Sequence, residues 1–146
     1  MNTVELKKDN TDYKNWADVY QAIVTGIGYE NMPVMQTSAT AFTSALTVPK
    51  SFTSGTVYNN VGSSGTLTAT LPAVADCKGK YLAFFIGAAQ IVRPTPASDE
   101  KIYLYGDGVA SKYLNIAAVV GNYAVLYCDG TAWFVVNTTG VVTKEA

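Results

Sequence analysis

The stretch Asn122 to Val136 constrains this chain more than any other. Two apolar runs, Tyr123 to Cys128 and Ala132 to Val136, flank Asp129-Gly130-Thr131. An Asp-Gly step between aromatic and β-branched runs reads as a hairpin, because Gly supplies the left-handed turn conformation at no steric cost. Side chains alternate faces along a strand, so Tyr123, Val125 and Tyr127 face one way and Ala124, Leu126 and Cys128 the other. Both sets are apolar, which predicts a sheet covered on both sides, either by a second sheet or by a neighbouring subunit.

Upstream, the chain changes character twice. Residues 1 to 30 hold eight of the twenty-one charged side chains, and Tyr13, Trp16, Ala17, Tyr20, Ile23 and Val24 recur there at three- and four-residue spacing. That pattern predicts one short amphipathic helix, capped by Asn10 or Thr11 and ended at Gly26. About four turns of helix are marginal alone in water, so the face carrying Tyr13, Trp16, Tyr20 and Ile23 is expected to dock on its own β domain or on another chain. From Asn31 to Ala75 the only charge is Lys50. Pro33 and Pro49 break residues 31–54 into an extended arm, and its spaced apolar side chains, Phe42, Leu46 and Phe52 among them, are expected to lie along a protein surface.

Strand signals begin at Gly55. Thr56 to Val61, Thr66 to Leu71, Tyr81 to Ile86, Gln90 to Arg93, Lys101 to Tyr105 and Tyr113 to Ala118 are short β runs separated by Gly, Pro, Ser and Asp, with a last edge piece at Val141 to Thr143. Tyr81 to Ile86 is apolar on both faces and is expected inside a sheet. Pro94 is read as closing the Gln90 to Arg93 strand. With no helix between the strands, residues 55–146 predict an all-β, antiparallel, jelly-roll-like sandwich, preceded by the helix of residues 1–30 and the arm of residues 31–54. An immunoglobulin-like domain fits less well, because no Trp lies between Cys77 and Cys128.

The chemistry available is narrow. The 146 residues contain no His, so no Ser-His-Asp or Cys-His arrangement exists, and no base is placed beside a nucleophile. Asp99 and Glu100 are adjacent in a Pro-flanked loop and point apart, unlike a glycosidase pair. Gly106-Asp107-Gly108 lacks the acidic ligands that would complete a calcium loop. Two thiols without a His make a poor zinc site, and Cys77 and Cys128 are expected as free thiols. No catalytic residue, cofactor site or metal site is therefore assigned. A net charge of −1, from 10 basic and 11 acidic residues, gives no field for nucleic acid. Met1 to Asn10 lacks the apolar segment of a signal peptide, and no run of 18 apolar residues predicts a membrane span. Partners must then be met by shape and uncharged contact. Ten Tyr, five Phe and two Trp among only 14% charged residues point to subunit interfaces. Tyr103, Tyr105, Asp107, Tyr113 and Asn115 stand in neighbouring stretches and could serve either such an interface or a glycan, whose rings stack on aromatic faces.

Several of these residues also fall into a recurring order: Leu71-Pro72, Gly79-Lys80-Tyr81-Leu82, Ile91 to Pro94, Ile102, Gly106 to Gly108, Leu114, and Val125 through Asp129-Gly130-Thr131 to Trp133. This order resembles the β domains of tailed-phage capsid decoration (cement) proteins and of phage head or tail fibres, and it covers Gly55 to Asn137. The resemblance implies a homotrimer on the outer surface of an icosahedral virion, made in the host cytoplasm and bound to the major capsid protein, with no active site. Tyr13, Trp16, Tyr20, Ile23, Phe42, Leu46 and Phe52 would then serve the capsid or subunit interface. Without a coiled coil or repeated shaft, and with Met1 close ahead of the β module, a decoration protein is expected rather than a fibre tip. A fibre-tip adhesin reading host-surface glycan is the alternative.

Overall fold

The computed structural model describes residues 39–145. The expected helix of residues 1–30, with Tyr13, Trp16, Tyr20 and Ile23, lies outside them. Eleven strands form two sheets: β1 (Ala39–Ala41), β2 (Leu46–Thr47), β3 (Thr56–Asn59), β4 (Leu67–Thr70), β5 (Tyr81–Phe85), β6 (Val92–Thr95), β7 (Ile102–Tyr103), β8 (Leu114–Ile116), β9 (Tyr123–Cys128), β10 (Trp133–Thr139) and β11 (Val142–Lys144). Sheet A runs β1-β3-β5-β9-β10-β7, and sheet B runs β11-β8-β6-β4-β2. The all-β sandwich expected from the strand pattern is the architecture observed.

Strand direction corrects the antiparallel expectation. Through β6 the chain alternates between sheets, so β1, β3 and β5 lie parallel in one while β2, β4 and β6 lie parallel in the other. The chain winds like a coil of three turns. Each strand reaches its parallel neighbour by way of the opposite sheet, which removes the need for the crossover helix that parallel pairing usually requires. After β6 the pairing turns antiparallel, with β9 on β5, β10 on β9, β8 on β6 and β11 on β8, and only β7 returns parallel to β10.

Pro94 sits within β6 rather than after it. Leu67 and Leu71 donate their amides to the carbonyls of Ile91 and Thr95, so the odd-numbered residues of β6 face β4. Position 94 faces the β8 side, where pairing occurs only between Val92 and Ile116, and a missing N–H there breaks no ladder bond.

The arm also reads differently in three dimensions. Residues 39–54 belong to the sandwich: β1 and β2 extend the two sheets, and Phe42, Val48 and Phe52 are buried in its core, with Leu46 packed partly against it. Phe42 and Phe52 therefore have no surface to offer a capsid or another subunit. Lys80 fixes this segment from the other side, donating from Nζ to the carbonyls of Lys50 and Phe52 at 3.1 Å and lying 4.9 Å above the Phe52 ring. An arm whose only charge is Lys50 was the signature of two strands, one added to each sheet, with side chains covered by the chain's own core.

Inward faces of both sheets meet in one core. Tyr58, Leu82, Phe84, Leu126, Trp133 and Val135 from sheet A pack with Leu67, Ala69, Val92, Leu114 and Ile116 from sheet B. Tyr58 stacks on Phe84 at 5.8 Å, and Phe42 meets that ring edge-on at 6.3 Å. Each such side chain contributes roughly 1.5–3 kcal/mol on burial. At one end of the sandwich, buried Asn60 stitches successive turns of the coil. Its Nδ2 donates to the carbonyls of Ala88 and Gln90, and its Oδ1 accepts from the amides of Gly87 and Ala88, all within 3.1 Å. At the other end, Trp133 donates from Nε1 to the Pro72 carbonyl at 3.3 Å, Gly79 N donates to the Cys128 carbonyl, and Cys128 N donates to that of Lys80. The Leu71-Pro72, Gly79-Lys80 and Asp129-to-Trp133 pieces thus come together as the lock of the fold.

Candidate functional site: the outer face of sheet A

Pairing across strands sets neighbouring side chains on the same face, so the register of sheet A defines its outer surface. One row reads Tyr81, Tyr127, Phe134, Tyr103 across β5, β9, β10 and β7. A second reads Val57, Ala83, Val125, and a third Asn59, Phe85, Tyr123. None of these residues is charged. Among the described residues nothing covers them: apart from Ala83 they are half-buried, and Phe85 is exposed. Among the described residues, the cover that the hairpin's two apolar faces call for is supplied, by sheet B, on one side only.

Next to the third row the sandwich ends in a valine-rich rim. Val61, Val119, Val120 and Val141 are all more than half exposed. Gly87, just past Phe85, lacks the side chain that would collide with Val61. Gly121 bonds to the Ile86 carbonyl, and Ala117 to that of Val141, which gathers these valines at one end.

At the β7 edge the same face dips into an open groove of about 720 Å³ lined by Tyr103, Tyr105, Asp107, Tyr127, Asp129 and Phe134, with Val136 beside them. Tyr103 and Phe134 stack nearly parallel, 5.2 Å apart with 11° between planes. The wall is the Leu104–Asp107 turn, closed by Asp107 N to Leu104 O at 3.0 Å with Gly106 at a φ of 74°. A register shift between Val135 and Asn137 turns Val136 out toward solvent, 47% exposed.

Two carboxylates stand at the groove. Asp107 takes a 2.8 Å ion pair from Lys144 and the amide of Val109 at 2.8 Å, and the Lys144 hydrogen bond, then Val109, holds its carboxyl below the usual range. Asp129 Oδ1 accepts from the Thr131 hydroxyl, the Thr131 amide and the Ala132 amide at 2.7–2.9 Å, which depresses its pKa in the same way and pins the turn around Gly130. Lys78 packs its aliphatic stem beside Gly130.

Of the five residues singled out for glycan contact, the fold brings together Tyr103, Tyr105 and Asp107. Tyr113 and Asn115 are held elsewhere, by Arg93, which lies 4.6 Å from the Tyr113 ring and donates from Nε to Asn115 Oδ1 at 3.0 Å. Tyr127, Asp129 and Phe134 were missing from the sequence-derived site. Their outward orientation is readable from alternation along the hairpin, but the parallel β7–β10 pairing that sets Tyr103 on Phe134 has no local signature.

Cys77 and Cys128 are free and fully buried, and burial raises both thiols above their ordinary pKa. Among the described residues no three His, Cys, Asp or Glu side chains gather as a metal site, and no helix is long and apolar enough to cross a membrane. No protein-family model matches the chain, and comparison with curated proteins finds no match.

Proposed function

We propose that this protein is a structural component of a tailed-phage particle, a homotrimer that covers the outer surface of the icosahedral capsid and links neighbouring copies of the major capsid protein. The observation that carries the reading is the uncharged, largely apolar outer face of sheet A with the valine rim beside it. Soluble monomers rarely leave a contiguous apolar surface of this kind wet, and such patches mark association sites. Val57, Ala83, Phe85, Tyr123 and Val125 form the subunit contact in this reading. A trimer engages several capsid subunits at once, so each arm's weak contact is reinforced by the others, and internal pressure must break them together. The resemblance of the Gly55 to Asn137 region to decoration and fibre β modules favours the same role.

The test is occupancy. Purified full-length protein is mixed with decoration-free heads of its own virus and the heads are sedimented. Saturable co-sedimentation in multiples of three copies, with heads that then resist higher temperature, is expected. Heads that pellet without it overturn the reading.

A further inference from the structure

Cys77 and Cys128 belong neither to the outer face of sheet A nor to the groove, and covering a capsid gives them no task. Both are fully buried members of the one core. Fifty-one positions separate them in the chain, yet the backbone sets them side by side. Cys77 opens the turn that ends at Lys80, whose amide donates to the Cys77 carbonyl at 2.9 Å. That turn then engages both peptide groups of Cys128: Gly79 N donates to the Cys128 carbonyl at 2.8 Å, and Cys128 N donates to that of Lys80 at 2.9 Å. One carbonyl oxygen holds both cysteines, since that of Val74 accepts from Cys77 N at 3.1 Å and from Cys128 Sγ at 3.4 Å. The Cys128 thiol is therefore aimed at the turn that carries Cys77. Burial raises the Cys77 thiol and the neighbouring Cys128 raises it further, so each sulfur lies within reach of the other's charge.

From this placement we infer that Cys77 and Cys128, free in reducing surroundings, join as an intramolecular disulfide in the presence of a disulfide oxidant such as oxidised glutathione. The two sulfurs differ in access. Ala75, Asp76, Lys78 and Gly79 around Cys77 are exposed, so opening of one surface turn uncovers its thiol, whereas Cys128 is held in β9 between β5 and β10. The Cys77 thiolate, its proton given to water, attacks the oxidant's S–S bond, which breaks to release one glutathione thiolate and leave a mixed disulfide on Cys77. The Cys128 thiolate, formed in the same way, then attacks the Cys77 sulfur and expels the second glutathione thiolate. Two protons and two electrons leave the protein, and both electrons end on glutathione. Oxidation gives up the weak Cys128 bond to Val74 and closes a loop across those fifty-one positions, which constrains the unfolded chain.

The inference concerns a single chain and rests neither on the trimer nor on the capsid. Full-length protein is held without denaturant in oxidised glutathione and quenched in acid, and its intact mass and disulfide-linked peptides are read. Loss of two hydrogens per chain is expected, with one peptide pair joining Cys77 to Cys128 and no linkage between chains. The urea midpoint should rise by about 1–2 M and return when reductant is added. Cys128→Ser should stop at a chain carrying one glutathione on Cys77. Cys77→Ser should take up glutathione about ten-fold more slowly, because its remaining sulfur lies in the ladder. If either variant fails to fold, the mass and midpoint of the unaltered chain decide alone. Thiols that stay unreacted, glutathione retained in place of a bond between the two sulfurs, or linkage between chains overturns the inference. So does a urea midpoint that stays or falls on oxidation, because the folded core would then not accept the bond.

Discussion

The two sheets of this sandwich share a core but turn opposite chemistries outward. Sheet A presents Tyr81, Tyr127, Phe134, Tyr103, Val57, Val125, Phe85 and Tyr123. Sheet B presents Thr47, Thr70 and Thr95 in one row, Thr68 beside Arg93, and Asn115 beside Thr143. Threonine keeps the β-branched shape a strand favours while giving water a hydroxyl, so sheet B is finished as a solvent face. Sheet A keeps the same strand propensity with aromatic rings and leaves them half wet. Both sheets turn buried apolar side chains into the one core. What differs is the chemistry of the outer side, and the proposed association uses sheet A's.

A charge placed on each face breaks the comparison most sharply. Val125→Lys, in the middle of sheet A's outer surface, is expected to reduce the native mass from that of the proposed trimer to that of one chain, whereas Thr68→Lys on sheet B leaves it unchanged; sedimentation equilibrium reads both. Equal masses for the two variants would erase the distinction between the faces.

Neighbours on one strand refine it further. Trp133 points inward and is fully buried, and Phe134 points outward onto Tyr103. Trp133→Ala should cost about 3–5 kcal/mol, seen as a lower urea midpoint. Phe134→Ala should cost only about 1 kcal/mol in the same assay, since it gives up a stacked pair rather than leaving a cavity in the core.

The smallest effect concerns the turn that joins the two hairpin strands. Asp129 has its folded pKa lowered by the Thr131 and Ala132 hydrogen bonds, so its contribution to stability is present above the ordinary carboxyl pKa and is lost as pH falls through the depressed folded value. Asp129→Asn should therefore melt below wild type at pH 7, and the gap should close in strong acid. A gap that stays constant from pH 7 to pH 2 would mean the charge is not what holds the turn.

Much of this was legible in the residues. The Asn122 to Val136 hairpin, the interior position of Tyr81 to Phe85 and the burial of Trp133 follow from alternation, apolar runs and the Asp-Gly turn, all of them local signals. Direction was not legible. A strand's sequence does not record whether its partner runs beside or against it, and the coil through β1 to β6 pairs residues 18 to 26 positions apart by way of the other sheet. The same limit applied to the site. Tyr103, Tyr105 and Asp107 were found together because they are close in sequence, whereas Phe134 and Asp129 join them only through the β7–β10 pairing. Phe42 and Phe52 were misplaced because an uncharged segment looks alike whether it covers a partner or its own core.

Oxidative footprinting of the full-length protein at high concentration decides whether sheet A's outer face is covered, because hydroxyl radicals label aromatic rings according to their exposure. Phe85, exposed in the single chain, and Tyr123, half-buried there, are expected to be protected well beyond those settings, while Tyr105 at the groove labels freely. Phe85 and Tyr123 labelling as fast as their single-chain exposure allows would show that sheet A's outer face stays wet, and would contradict the proposed association.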